Sequence, residues 1–247
     1  MIQQIKYYEE LQEFLNSSFQ SHEVLHINLS NHQIYNEGVS GLGIALANCN
    51  NLSNLTLDLH QNKISDTGTS EIGSGLGKCT NLSNLTLDLS YNLLDETCIS
   101  QLSSALANLT NLSNLTFNIR QNYIGAIGIS GLGLAIANCI NLSNLSLNLS
   151  LTYIGEKGAP GLGLGLANCT NLSNLTLGLR QNKIGAIGAS ELGSALANCS
   201  NLSNLALDFY FNQIGDKGVS GLGSGLGNCT KLSNLKLNLQ QKQFICN

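Results

Sequence analysis

Leu52-Ser-Asn-Leu55-Thr-Leu57-Asp-Leu59-His-Gln-Asn62-Lys-Ile64 is the stretch that decides the fold, because it recurs almost letter for letter along the chain. Its first leucine returns as Leu82, Leu112, Leu142, Leu172, Leu202 and Leu232, a period of 30 residues with no slippage. Self-similarity at a fixed period of this length marks a stack of small equivalent units rather than a globule around one central core. Within the unit, Leu55, Leu57 and Leu59 alternate with polar residues. That is the period-2 pattern of a strand with one buried and one wet face.

Three residues beyond Leu59 comes an asparagine, repeated as Asn62, Asn92, Asn122, Asn182 and Asn212. Its amide both donates and accepts, so it can satisfy the peptide groups of a buried turn leaving the strand. His32, Thr152 and Lys242 interrupt this ladder, and looser turns are expected there.

The second half of each unit reads as a helix. Ser40, Ser70, Ser100, Ser130, Ser190 and Ser220 precede it as expected N-caps. Pro160 takes that place in the fifth unit, where a missing N–H costs little at a helix start. Val39, Leu42, Leu46 and Cys49 recur at helical spacing, as do Ala189, Leu192, Leu196 and Cys199. Glycines crowd the same helix, as in Gly73-Ser-Gly75-Leu-Gly77. At roughly 1 kcal/mol each against alanine, they predict short helices, partly frayed and held only by packing on their neighbours.

Strand, turn, helix and return, with Leu-x-Leu-x-x-Asn-x-Ile at each strand, resemble the leucine-rich repeat over about residues 22–243. The long unit with a real helix is similar to the ribonuclease-inhibitor-like subclass. One departure is an extra Leu-x step in every unit; two added residues keep inside–outside parity and lengthen the strand. The resemblance implies an α/β solenoid: a curved arc with a parallel sheet on the concave face and short helices on the convex face. The expected division is an N-terminal helical cap over 1–21 and a repeat array over 22–247, with about eight strands, seven helices and an incomplete last unit.

The ends carry their own expectations. Over residues 2–19, Tyr7, Leu11, Phe14 and Leu15 fall on one side of a predicted capping helix, with Glu9, Glu10 and Glu13 opposite. A linker to an upstream domain is the alternative. The last strand carries Leu235, Leu237 and Leu239, and it is either an edge softened by Lys236 and Lys242 or a part of a longer array. Self-association through that uncapped strand is an expected hazard. Stability spread along the stack predicts gradual loss when one terminal unit is removed.

Composition narrows the function classes. Apolar residues make up 43%, charged residues 11%, and the net charge is −4. Eleven lysines and arginines scattered over the units make no basic face, which argues against nucleic acid. No stretch approaches the ~20 apolar residues of a membrane span, and Met1-Ile-Gln-Gln-Ile-Lys lacks the apolar run of a secretory signal. Cys49, Cys79, Cys139, Cys169, Cys199 and Cys229 share one helix position, and Leu109 holds it in the third unit. A slot that accepts leucine wants a small hydrophobe, which a free buried thiol supplies. Metal-ligand clustering is missing from this pattern, so reduced core thiols and a cytoplasmic location are expected. Cys98 and Cys246, off that ladder, read as the more reactive thiols.

Function should sit on the polar strand positions, where eight strands make a face roughly 34 Å long. Asn54 and its six repeats form an unvarying row, read as structural. The residues that break the monotony are more informative: Asp58, His60, Asp88, Tyr91, Arg120, Arg180, Asp208, Tyr210 and Phe211. Arg180, Asp208, Tyr210 and Phe211 should cluster beside a bare spot at Gly178. Tyrosine and arginine dominate interface energetics, although mutual packing of Arg180 and Tyr210 would explain them equally well. His22, His26, His32 and His60 lie toward the N-terminus without a matching nucleophile. Gly161-Leu-Gly163-Leu-Gly165 lacks the Lys-Ser/Thr of a phosphate loop. A non-enzyme without cofactor is therefore expected. The resemblance implies an interaction scaffold binding a protein partner not named by the sequence. The alternatives that it also implies are a GTPase activator resembling the Ran activator, for which no catalytic residue matches by position, and an enzyme inhibitor like ribonuclease inhibitor.

Overall fold

The computed structural model describes residues 5–241. Nine parallel strands form one open sheet in strict chain order. They are β1 (Ile5–Tyr8), β2 (Val24–Asn28), β3 (Asn54–Asp58), β4 (Asn84–Asp88), β5 (Asn114–Asn118), β6 (Asn144–Asn148), β7 (Asn174–Gly178), β8 (Asn204–Asp208) and β9 (Asn234–Asn238). From β2 onward each residue pairs with the one 30 positions later, as Leu55 with Leu85 and Leu85 with Leu115. Pairing runs past the strand ends: Leu59 N donates to Asp88 O at 2.8 Å, and Gln61 N to Ser90 O at 3.0 Å. The extra Leu-x step is thus absorbed into the ladder, and the nine strands alternate with helices as a leucine-rich-repeat solenoid.

The helices are α1 (Leu11–Leu15), α2 (Asn36–Leu46), α3 (Asp66–Leu76), α4 (Glu96–Leu106), α5 (Gly125–Asn138), α6 (Gly155–Ala167), α7 (Gly185–Leu196) and α8 (Gly215–Leu226). Their apolar stripe and the inward strand leucines make one continuous core, in which Leu57, Leu59, Leu87, Phe117, Leu147 and Phe209 are all buried.

The turn asparagines carry the load expected of them. Asn62 Oδ1 accepts from His32 N (3.1 Å) and Ile34 N (3.0 Å), and its Nδ2 donates to Leu29 O (2.7 Å) and Leu59 O (3.1 Å). Each amide so ties its own turn to the preceding one. The expected looseness at Thr152 is not found. Thr152 is fully buried, donates Oγ1 to Leu149 O at 2.6 Å, and gives its backbone N–H to Asn182. A hydroxyl satisfies the local carbonyl but cannot reach back to the previous unit. His32 is exposed and turns its ring to Ser30 O (2.7 Å), while Lys242 lies outside the described residues.

The helix starts differ from expectation. Helices begin four or five residues earlier than the serines, so Ser40, Ser70 and their repeats are interior residues. Ser130 Oγ donates to Ala126 O, the carbonyl one turn back, and lies 2.1 Å from the site of a Cβ on Gly161. Asp95 is a true cap, accepting from Thr97 N and Cys98 N. At the equivalent position Gly125, Gly155, Gly185 and Gly215 take φ of +57° to +69°, a left-handed turn favouring glycine. Pro160 is likewise inside α6.

Glycine in the helix middles serves close packing. A Cβ on Gly75 would lie 2.2 Å from Gly43 O, one on Gly165 1.9 Å from Gly133 O, and one on Gly225 2.2 Å from Gly193 O. The pairs α2–α3, α5–α6 and α7–α8 therefore meet backbone to backbone, and α3–α4, with 3.2 Å at Gly73, is looser.

The N-terminal segment is half strand. Ile5–Tyr8 pairs with Val24–Ile27, so Tyr7 is not on a capping helix; it is exposed and its ring stacks on His26 at 4.9 Å. The five-residue α1 does place Phe14 in the core, against Tyr8 (5.4 Å) and Phe19 (5.5 Å). Sheet pairing extends the stack by one strand where a helix alone would have left β2 as an edge. The other end differs: Leu235 and Leu237 on β9 remain 46% and 41% exposed.

The ladder cysteines are all buried and free. Cys79, Cys139, Cys199 and Cys229 donate Sγ–H to the carbonyls of Leu46, Leu106, Leu166 and Leu196 in the preceding unit, at 3.3–3.4 Å. Burial pushes Cys49 and Cys169 up to about 12 and Cys79, Cys139 and Cys199 to about 11. Cys98 is also buried, and its thiol is raised chiefly by that burial. The expectation of a reactive Cys98 is corrected on this ground; Cys246 lies outside the described residues.

Candidate functional site

Alternation along the strands sends residues 54, 56, 58 and 60 of the unit onto the polar sheet face. The first row is structural. Asn114 Nδ2 donates to Asn84 Oδ1 (2.5 Å), Asn204 to Asn174 (2.6 Å) and Asn234 to Asn204 (2.6 Å), within an amide ladder that runs from Asn54 to Asn234. The third row, from Asn28 to Asn238, closes turns. Its side-chain oxygen accepts the backbone N–H two residues on, as in Asp58 to His60 (3.0 Å), Asp88 to Ser90 (2.8 Å) and Asp208 to Tyr210 (3.2 Å). This role explains why either Asn or Asp serves there, and Gly178 is the member that lacks it.

The residues singled out from the sequence fall into three groups. In units two and three, His60 Nδ1 lies 2.9 Å from Asp58 Oδ1. Asp88 stands opposite Asp58 in register. Ligand atoms of Asp58, His60 and Asp88 all lie within 4.8 Å of one another. One imidazole and two carboxylates could meet a divalent cation, but Asp58 Oδ1 and Asp88 Oδ1 already hold the turn N–H groups.

In the middle, the Arg120 guanidinium lies over the Tyr91 ring at 5.6 Å, while its Nε is buried without a hydrogen-bond partner. Toward the C-terminus, Arg180 Nε pairs with Asp208 Oδ2 and lies 5.6 Å over the Tyr210 ring. The Tyr210 and Phe211 rings approach to 4.2 Å. These four residues thus come together beside Gly178, and Arg180 with Tyr210 does pack as the simpler reading required. Both arginines and Asp208 line a shallow groove of about 700 Å³ over β5–β9, floored by Gly178 and Ala206 and edged by Lys236.

Two features escaped the sequence reading. Tyr123 and Tyr153, both exposed, stack at 5.7 Å and 12°. With Tyr91, Leu93 and Leu151 they line a recess of about 560 Å³ on the rim where the strands end. Their signal lay one residue past the ladder asparagine, where Lys63 and Lys183 give way to Leu93, Tyr123 and Tyr153. The second is Ala206 and Lys236, which replace the Thr56, Thr86, Thr116 and Thr176 of the second row.

No family model matches the chain. A search of curated proteins also finds no match. Among solved structures, a leucine-rich-repeat protein of Leptospira interrogans is similar at 16% identity, covering 96% of this chain and 88% of that one, with a TM-score of 0.24. No helix of the described residues is long and apolar enough to cross a membrane.

Proposed function

From a leucine-rich-repeat solenoid whose invariant asparagine row is used internally, we propose an interaction scaffold that binds a protein partner on the C-terminal part of its sheet face. The observation that carries this is the meeting of Arg180, Tyr210 and Phe211 on neighbouring units, with rings at 4.2 Å and the guanidinium 5.6 Å above tyrosine. Partly exposed Tyr and Arg side by side are the composition of interface anchors. Their mutual packing supports the reading as well, since a pre-ordered side chain loses less freedom on binding. The 30-residue unit with a full helix favours the ribonuclease-inhibitor-like subclass. Recognition without catalysis and a cytoplasmic setting belong to the same proposal; free buried thiols support the latter.

The test is affinity capture from a whole-cell extract with wild type beside Arg180→Ala/Tyr210→Ala/Phe211→Ala, bound proteins being identified by mass spectrometry. The expected result is a partner held by wild type and lost by the variant, both melting cooperatively. Identical captures from the two proteins would overturn the assignment of this surface.

A further inference from the structure

We propose that the groove over β5–β9 accepts anions, and that its occupant is an acidic peptide segment of the protein partner, its carboxylates held by Arg120, Arg180 and Lys236. The inference rests on the reading of the sheet face as a protein-binding surface and names the chemistry of what it binds.

Four observations converge. The chain has nine lysines but only two arginines, and both arginines line this groove. Arginine's planar fork matches a carboxylate in a way that lysine's point charge does not. Arg120 Nε is buried with no hydrogen-bond partner, and the Tyr91 ring beside it gives the guanidinium a cation–π contact alone. A buried donor left unpaired is costly, so the side chain gains by turning it toward an incoming carboxylate. Arg180 gives its Nε to Asp208, and the described residues provide no acceptor for its two Nη groups. Lys236 is a third cation at a position where five of the other units carry threonine or serine.

The floor agrees with the walls. Gly178 removes the Asn or Asp that every other unit carries at that place, and Ala206 removes a hydroxyl. What remains beneath is Ser146, Ser150 and Thr176, whose hydroxyls can donate. Asp208 is the lone carboxylate of the lining and is already paired, so the groove is cationic within a chain of net charge −4. At the other end of the same face stand Asp58 and Asp88. The polarity along the sheet sets the orientation of a charged ligand.

A peptide fits better than a small anion on grounds of distance. Arg120 and Arg180 project from equivalent positions two units apart, about 10 Å at the usual strand spacing. One carboxylate or phosphate cannot span that separation. Acidic residues three apart in a polyproline-II segment lie on the same side, about 9 Å from each other.

The test uses the full chain and a fluorescein-labelled hexaglutamate peptide, followed by fluorescence anisotropy, with hexaglutamine and inorganic phosphate as comparisons. Hexaglutamate should bind, and its affinity should fall about tenfold or more as salt screens the site. Gly178→Asp should weaken binding by about tenfold, because it refills the notch and adds a negative charge. This variant restores the residue type of other units, and its Cβ meets only side-chain ends, the Asn148 amide at 2.9 Å and the Ser150 hydroxyl at 3.4 Å, so it should melt as wild type does. Arg120→Gln/Arg180→Gln should lose binding in the same way.

Equal binding of hexaglutamate and hexaglutamine, or of wild type and Gly178→Asp, would overturn the inference. Displacement of the peptide by millimolar phosphate would show a site for a free anion and would overturn it too. The two proposals fail separately. A partner captured by wild type, lost by Arg180→Ala/Tyr210→Ala/Phe211→Ala but retained by Gly178→Asp at high salt, leaves the scaffold reading standing and removes the acidic segment.

Discussion

Asn182 shows what one residue can do in a stacked chain. Its Oδ1 accepts from Thr152 N (2.9 Å) and Ile154 N (3.3 Å), and its Nδ2 donates to Leu149 O (2.6 Å) and Leu179 O (3.0 Å), all in a fully buried turn. Removing one partner of a buried bond leaves the other unsatisfied at about 1–3 kcal/mol. Asn182→Ala strands several such groups at once, so its expected cost is about 3 kcal/mol or more by denaturant unfolding. Asn182→Thr should cost less, because Thr152 already shows a hydroxyl satisfying the local carbonyl of Leu149. Equal losses for alanine and threonine would contradict this account of the ladder.

At the scale of the helix, glycine has two opposed effects. Its backbone freedom disfavours the helical state by about 1 kcal/mol against alanine, yet three helix pairs approach too closely for any Cβ. The balance must therefore differ from one position to the next. Gly165→Ala places a methyl 1.9 Å from Gly133 O, a backbone atom that cannot rotate away. The two helices would have to separate, and a loss of about 1–3 kcal/mol or more is expected from overpacking. Gly131→Ala, in the neighbouring helix α5, meets nothing within 4 Å and should stabilise by about 0.5–1 kcal/mol. Thermal melts of the two variants should shift in opposite directions; a shared direction would show that propensity alone governs these helices. Only the first half of this argument was legible in the sequence, since glycine content is local but the distance to the next helix is not.

For the molecule as a whole, the thiol ladder links stability to pH. Five ladder thiols are raised from 9.0 to about 11 or 12, mainly by burial. Their folded pKa values lie above the unfolded ones, so between these limits the unfolded chain has released protons that the folded chain retains. The stability that they contribute is complete below pH 9 and is lost as pH rises toward 11–12. Chemical unfolding midpoints should therefore fall steadily above pH 9. In a Cys246→Ser background, a thiol reagent at pH 8 should label the folded protein hardly at all and the unfolded protein fully. Prompt labelling of the folded protein would contradict burial of the ladder and of Cys98. The same scale governs the sheet face, where Asp58 and Asp88 stand toward one end, Arg120 in the middle, and Arg180, paired with Asp208, and Lys236 toward the other.

The sequence by itself determined the 30-residue period, the parallel strands, the side of the sheet on which each residue lies, the turn asparagines and the buried thiols. Each follows from alternation within a unit or from translation of that unit, and both are written in residue order. The cluster of Arg180, Asp208, Tyr210 and Phe211 was legible for the same reason, since stacking places equivalent positions side by side. Only the tertiary structure decided that the serines lie inside the helices and that Ile5–Tyr8 adds a strand. It alone also showed that Thr152 holds its turn and that Tyr123 and Tyr153 stack. These depend on what the neighbouring unit offers at a few ångströms: a carbonyl, a bare glycine, a ring. Such distances are set by packing, and no local pattern records them.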